Sequence, residues 1–415
     1  MSSSGPLQGI RVLDHGHVWA GPLVGTSLSD LGAEVIKVLS PSRSSGVSMA
    51  GKVMPGAAGG ASQVDTTDPT QYHGYERGKL GISINLAVDE GKELYRRLIS
   101  VSDIVVENFS PRVMPSLGLG FDDLQKLNPG IILCSMSATG ATEGPWRDLV
   151  TYGPSLGALY GIKSLLGYHD DPMPREDMAD LDPTAAGHAV FAILAALEYR
   201  ARSGHGQHIE MAQGESAIQR IAEPIMDYLF NRRVARTQGN RYPGVAPHGI
   251  YRAAGDDEWI SIVARDDREW AALTSVAATS GHNLGGSTFA TLEARLAAQD
   301  ALDEAITAWT IGENAMDLSR RLQGVGVPAS PVMNAPALAA DDNFHALRRS
   351  GMQLGPDVKV TAEDIYQGVV WKLTKTPGGI QRTVPGTGAD NARVFGELLG
   401  IARADLDGLH ERGVI

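Results

Sequence analysis

Residues Gly9–Val38 read GIRVLDHGHVWAGPLVGTSLSDLGAEVIKV, and their pattern decides the fold. Ile10–Leu13 is a short, largely apolar run that predicts a buried strand. Ala20–Leu31 predicts a helix. Pro22 is tolerated in its first turn, where a backbone N–H needs no intrahelical partner. Gly32 is a helix stop, and Glu34–Val38 predicts a second strand. Strand, helix and strand on this spacing form a βαβ unit, which implies a parallel sheet under helical cover. The connecting loop, Asp14–Gly21, lacks the GxGxxG spacing, so it does not predict a dinucleotide site.

The alternation continues outward. Ser40–Tyr72 is rich in Gly, Ser, Pro and Thr and predicts a long loop. Gly81–Leu86, Ile104–Glu107 and Ile131–Ser135 predict strands, with helices at Asp89–Val101 and Phe121–Lys126. Leu181–Arg202 is the strongest helical pattern, apolar on most faces, which predicts a helix inside a large domain or at an interface. SGHGQHIEMAQ stops it and starts a strand. RRVARTQGNRYPGVAPHG, around 232–248, predicts a linker or mobile loop. A second α/β unit follows to about Ala340, and the tail ends in a further helix.

Composition narrows the function classes. The chain has 415 residues, a formal charge of −12 and 20% charged residues. That balance argues against a nucleic-acid protein, which carries a basic footprint. The single cysteine, Cys134, excludes an intrachain disulfide and a cysteine metal cluster, and fits a cytoplasmic location. The amino-terminal stretch lacks the pattern of a signal peptide, and no apolar run is long enough to span a membrane. Among the eleven histidines there is no HExxH or other metal spacing, so no metal site is expected.

Individual residues carry several readings. Asp182 followed by Pro183 reads as a helix N-cap pair, or as a carboxylate nucleophile at a helix start. His17, Trp19 and Tyr152 fall in loops where a ligand would meet the carboxyl edge of the sheet. Asn108 and Phe109 follow a strand end. Arg43, Lys37, Lys79 and Arg112 are candidate phosphate contacts or solvated charges. From the residues alone the reading stops at an α/β enzyme of the cytoplasm.

The segments GIRVLDHGHVWAGP, LGAEVIKV, VENFSPRVMPSLGLG and DPTAAGHAVFAILAALEYRARSGHGQ, in this order from about Leu7 to the end, resemble the family III CoA-transferases. That family also contains 2-methylacyl-CoA racemases. The resemblance implies a large Rossmann-like α/β domain built from both chain ends, a smaller inserted α/β domain, and two chains interlocked as a dimer. On this chain it implies the first part of a CoA-binding domain at 1–225, a linker at 226–248, a small domain at 249–340 and a return to the large domain at 341–415. A homodimer, or a heteromer with a paralogous subunit, is the expected assembly.

Asp182 aligns with the family's catalytic aspartate. The family's usual glycine four positions on is Ala186 here, and Gly187 follows. The implied chemistry exchanges one thioester for another through a mixed anhydride and an aspartyl-CoA thioester, with a CoA thioester as substrate and no prosthetic group. Succinyl-CoA is the expected donor and an aryl-substituted or branched acid, benzylsuccinate-like, the expected acceptor. His17, Trp19 and Tyr152 are implied substrate contacts. Val18, Ala20, Arg43, Lys79, Asn108, Phe109 and Arg112 are implied CoA contacts. Tyr152 stands where the racemases carry histidine. Tyrosine, with a reference pKa near 10, is a poor second base at neutral pH, so transfer is favoured over racemisation. An inactive partner subunit is the remaining alternative, and the intact Asp182 weighs against it. The chain departs from the family at Leu39, where an acidic residue is common, and at NFSPR, where the arginine moves to position 112.

Overall fold

The computed structural model describes residues 5–41, 73–141, 144–151, 153–168, 181–341, 369–382 and 384–415. These fall in two compact units. The first holds the described residues up to Ile162, those from Leu181 to Met226 and those from Val369 onward; the second holds the rest.

Six strands form the sheet of the first unit: β1 (Arg11–Asp14), β2 (Glu34–Leu39), β3 (Leu80–Ser83), β4 (Ile104–Glu107), β5 (Ile132–Ser137) and β6 (His208–Ala212). All pairings are parallel, in the order β3-β2-β1-β4-β5-β6. This is the doubly wound order, with its topological switch point between β1 and β4. The helices that matter below are α1 (Ala20–Asp30), the short α2 (His73–Glu76), α3 (Asp89–Ser100) and the 23-residue α4 (Leu181–Ser203).

Strand periodicity sorts the core. Leu13, Ile36, Ile82, Val105 and Leu133 face one way and pack with Leu98 of α3, Phe395 and Ile415. Their neighbours Val12, Val35, Ile104, Val106 and Ile132 face the other way and meet Val24 and Leu28 of α1 and Ala189 and Ile193 of α4. Successive residues of a strand point to opposite faces, so a sheet covered on both sides needs apolar residues at every position. Each fully buried aliphatic side chain of this kind is worth roughly 1.5–3 kcal/mol. The chain's last residues join the first core, and Asn85 N–H donates to the Val414 carbonyl at 2.8 Å. Gly81 N–H donates to Asp390 Oδ2 at 2.8 Å, which ties the same return segment to β3.

On α4, expected inside a large domain or at an interface, Phe191 is 75% exposed, as an interface helix would be. One expectation needs adjustment. The segment expected as a linker from 226 is still helical to Asn231, in a helix α5 (Ala222–Asn231) with no buried residue. Pro224 lies in its first turn, where proline does not break a helix.

In the second unit, strands β7 (His248–Arg252), β8 (Trp259–Val263) and β9 (Ala329–Val332) form an antiparallel sheet. Helices Asp267–Thr279, Gln299–Thr310 and Ala315–Gly324 cover it with Leu273, Ile306, Trp309, Leu318 and Leu322.

Candidate active site

The β1–α1 loop lies at the switch point, outside the carboxyl ends of β1 and β4, where doubly wound folds bind ligands. It folds tightly on itself. A Cβ on Gly16 would lie 2.4 Å from the Gly21 carbonyl carbon, and one on Gly21 would lie 2.5 Å from Gly16 Cα. Only glycine fits at either position. Val18 adopts φ 65°. A β-branched residue in the left-handed region is strained by roughly 1–3 kcal/mol, and such strain persists where surrounding contacts over-determine it. Those contacts come from β4. His17 N–H donates to Asn108 Oδ1 at 2.7 Å, and Asn108 Nδ2 donates to the His17 carbonyl at 2.9 Å. The Phe109 ring lies 5.1 Å from the His17 ring. His17, Val18, Trp19, Ala20, Asn108 and Phe109 are therefore gathered at one sheet edge, although Asn108 follows His17 by 91 residues.

Asp182 sits in the first turn of α4. Its carboxylate accepts from the backbone N–H of Ala20, the first residue of α1, and from its own N–H. It thus stands at two helix N-termini, whose partial positive charges favour an anion. Burial pushes its pKa up to about 6, and the two backbone hydrogen bonds oppose that rise. At neutral pH the group is mostly ionised but poorly hydrated, the state a carboxylate nucleophile needs.

The Trp19 ring packs 5.4 Å from Tyr75, a residue that the sequence offers no reason to single out. Burial raises the Tyr75 hydroxyl pKa, and the charge of Asp182 raises it further, so this phenol stays protonated. Trp19 Nε1 is buried and has no hydrogen-bond partner among the described residues.

Beneath the loop lies a buried quartet of charges. Lys79 Nζ is 2.7 Å from Asp14 Oδ2 and 2.6 Å from Glu76 Oε2, and Lys37 Nζ is 2.7 Å from Glu76 Oε1. Lys79 also donates to the carbonyls of Pro22 (2.9 Å) and Tyr75 (3.0 Å), and Lys37 to that of Gly16. Burial alone would raise the Asp14 carboxyl. Lys37, Lys79 and the Gly16 N–H outweigh it and hold the group below its ordinary range. Burial likewise opposes the Lys37 ammonium, and Asp14 and Glu76 more than restore it. Gly25 makes the room: a Cβ there would lie 2.3 Å from Asp14 Oδ2.

This corrects the reading of Lys79 as a CoA contact. Its side chain is 0% exposed and fully engaged, so no phosphate reaches it without dismantling the quartet. Lys37, at 3%, is in the same position. Arg112 is different. It is 72% exposed and paired with Asp148 at 2.7 Å, an ion pair open to exchange with a phosphate. Tyr152 and Arg43 lie outside the described residues. His15 was not anticipated. Burial, chiefly, and the nearby His17 hold its pKa down to about 3, so it is a neutral ring, hydrogen-bonded at 2.7 Å to the Tyr95 hydroxyl.

Among the described residues no group of three or more His, Cys, Asp or Glu is placed to hold a metal, and no helix is long and apolar enough to cross a membrane.

The chain is 35% identical to the succinyl-CoA–D-citramalate CoA-transferase of Chloroflexus aurantiacus over 410 residues, 99% of this chain and 98% of that protein. It is 30% identical to the beta subunit of the succinyl-CoA–L-malate CoA-transferase of the same organism, over 99% of this chain and 98% of that one. A crystal structure of a CAIB/BAIF family protein from Brucella suis superposes with a TM-score of 0.82 at 29% identity, covering 95% of this chain and all of that one. The family model for CoA-transferase family III matches residues 7–391. A sheet-edge loop whose Ala20 N–H meets a half-buried aspartate is thus found in a chain whose relatives move CoA between acids: the protein belongs to CoA-transferase family III and is a CoA-transferase.

Proposed function

We propose that this chain transfers CoA from succinyl-CoA to a small dicarboxylic acid by covalent catalysis at Asp182. The carrying observation is the Asp182 carboxylate itself: half-buried, ionised above about pH 6, and held by Ala20 N–H at the mouth of the switch-point crevice. In this reading Asp182 attacks the thioester carbonyl and expels CoA thiolate, leaving a mixed anhydride. The thiolate then attacks the aspartyl carbonyl and releases succinate, leaving an aspartyl-CoA thioester. The acceptor acid reverses the two steps. Every bond broken is matched by one formed, so no ATP enters the balance. Exclusion of water protects both activated intermediates.

The acceptor class is read from the relatives. Those described above are named for D-citramalate and L-malate, both hydroxydicarboxylic acids. These names support a dicarboxylate acceptor; D-citramalate is itself branched, and neither name bears on the aryl substituent of the aryl-substituted or branched acid expected above. The unpartnered Trp19 Nε1 supplies a donor for the acceptor's remote carboxylate. Trp19→Phe, which keeps the ring and removes the N–H, should raise KM for succinate in succinyl-CoA/succinate exchange roughly ten- to a hundredfold, the scale of one hydrogen bond to a charged group. An unchanged KM removes Trp19 from acid binding.

For CoA, the reading uses the His17–Phe109 wall and Arg112. Arg112→Ala should raise KM for succinyl-CoA roughly three- to tenfold with kcat nearly constant, as expected of binding that is uniform between ground and transition states. A fall in kcat at constant KM would contradict that role.

We place a second chain on the apolar surface that the described residues leave open. α5 buries none of its residues, and Phe230 is 74% exposed. An apolar helix of ten residues is stabilised by packing rather than by propensity, so the reading assigns that packing to a homodimer or to a paralogous subunit. Labelled succinate exchanging into succinyl-CoA with the purified chain alone tests donor and assembly together. Activity of the single gene product makes a paralogous subunit unnecessary.

A further inference from the structure

We infer that Tyr75 is a catalytic residue of the transfer reaction, its hydroxyl donating a hydrogen bond to the acyl oxygen as charge builds there. The inference rests on the covalent reading of Asp182 and adds a group to it.

The case begins with how Tyr75 is held. α2 is a single turn of four residues, too short to fix a side chain by itself. Instead, the positions from Tyr75 to Lys79 are each anchored. The Tyr75 carbonyl accepts from Thr26 Oγ1 at 2.7 Å and from Lys79 Nζ at 3.0 Å. Glu76 pairs with both buried lysines. Arg77 binds Asp30 through both terminal nitrogens, and the Gly78 carbonyl accepts from Ser29 Oγ at 2.8 Å. Thr26, Ser29 and Asp30 all belong to α1, whose first N–H binds Asp182. The same helix therefore sets the position of the nucleophile and of the tyrosine. A reacting group needs placement to about 0.5 Å by partners that are themselves fixed, and a surface turn does not.

The side chain lies next to the residues that hold Asp182. Its ring packs on Trp19, next to Ala20. Its hydroxyl feels the Asp182 charge, yet among the described residues nothing ties it up in a hydrogen bond. A phenol kept protonated beside an ionised carboxylate is a donor without being a base. When an Asp182 oxygen bonds to the acyl carbon, the carbonyl electron pair moves onto the acyl oxygen. The Tyr75 O–H stabilises that oxyanion and keeps its proton. Collapse restores the carbonyl, breaks the carbon–sulfur bond and releases CoA thiolate.

The test is Tyr75→Phe, which retains the packing on Trp19 and removes only the hydroxyl. In succinyl-CoA/succinate exchange kcat should fall ~10²–10³-fold, the cost of one oxyanion donor, with KM for succinyl-CoA nearly unchanged. Hydroxylamine trapping of the Asp182 adduct should slow by the same factor while still labelling Asp182. Tyr75→Leu, which also loses the aromatic contact, should be no slower than Tyr75→Phe by more than a few-fold. Wild-type kcat in Tyr75→Phe would overturn the inference, as would a change confined to KM. If instead the wild type exchanges label but traps nothing at Asp182, the covalent reading fails and takes this inference with it. That outcome is distinct from a normal Tyr75→Phe.

Discussion

Asp182→Asn should abolish CoA transfer and, at pH 7–8, make the protein more stable. The two effects together separate a nucleophile from a helix cap. An amide cannot form the anhydride, so turnover should drop to background. The folded protein meanwhile carries a carboxyl whose pKa is raised to about 6 against an ordinary value of 3.8. A raised acid binds its proton more tightly in the folded state. The stability that goes with that proton is present at low pH and is lost as pH rises from about 4 to about 6. Above that window the ionised Asp182 costs on the order of 1–3 kcal/mol, which asparagine recovers. The gain should vanish when unfolding is measured below pH 4. A residue serving only as a cap predicts the opposite sign, a loss of ~1 kcal/mol or less on substitution. The same ionisation predicts an acid limb in kcat near pH 6, activity falling as pH drops through it. Denaturant midpoints for both proteins at pH 4 and pH 8, with exchange rates across that range, check all three statements.

Lys79→Met should be the most destabilising single change near the site. It removes one of two ammoniums facing two carboxylates and leaves Asp14 buried with Lys37 at 3.7 Å as its remaining cation. It also takes one donor from each of the Pro22 and Tyr75 carbonyls, the latter keeping Thr26 Oγ1 at 2.7 Å. Breaking a buried pair in this way typically costs ~3–5 kcal/mol, because the abandoned charge has lost both water and partner. That is a large share of the stability of a domain. Lys79→Met with Asp14→Asn should recover part of the loss. A Lys79→Met protein with near-normal stability would show that the charge is not structural and would reopen its role in phosphate binding.

The contrast between Asp182 and Lys79 shows what local sequence can carry. β1, α1 and β2 are legible because each is bounded by its own chemistry: a short apolar run, a proline in a first turn, a glycine stop. The switch-point position of His17 and Asn108 follows once the strands alternate with helices. Lys79 reads as a surface charge because its partners Asp14 and Glu76 are invisible until β3 is laid beside β2 and α1 is folded over the loop. Tyr75 closes a stretch dominated by Gly, Ser and Thr, and its value comes from contacts with Thr26 and Trp19 and from the nearby charge of Asp182, none of them within forty residues. α5 runs into the segment expected as a linker from 226, and Pro224 is harmless in its first turn. Local pattern thus recovers elements. Pairings of charges and hydroxyls across the chain require the fold.

The central claim is that Asp182 becomes covalently acylated during transfer. Its most direct measurement is mass spectrometry of the wild-type chain incubated with succinyl-CoA and quenched with hydroxylamine. The account predicts a hydroxamate on the peptide containing Asp182, dependent on succinyl-CoA and absent from Asp182→Asn. Normal exchange of label with no modification at Asp182, or modification at another carboxylate, would contradict it.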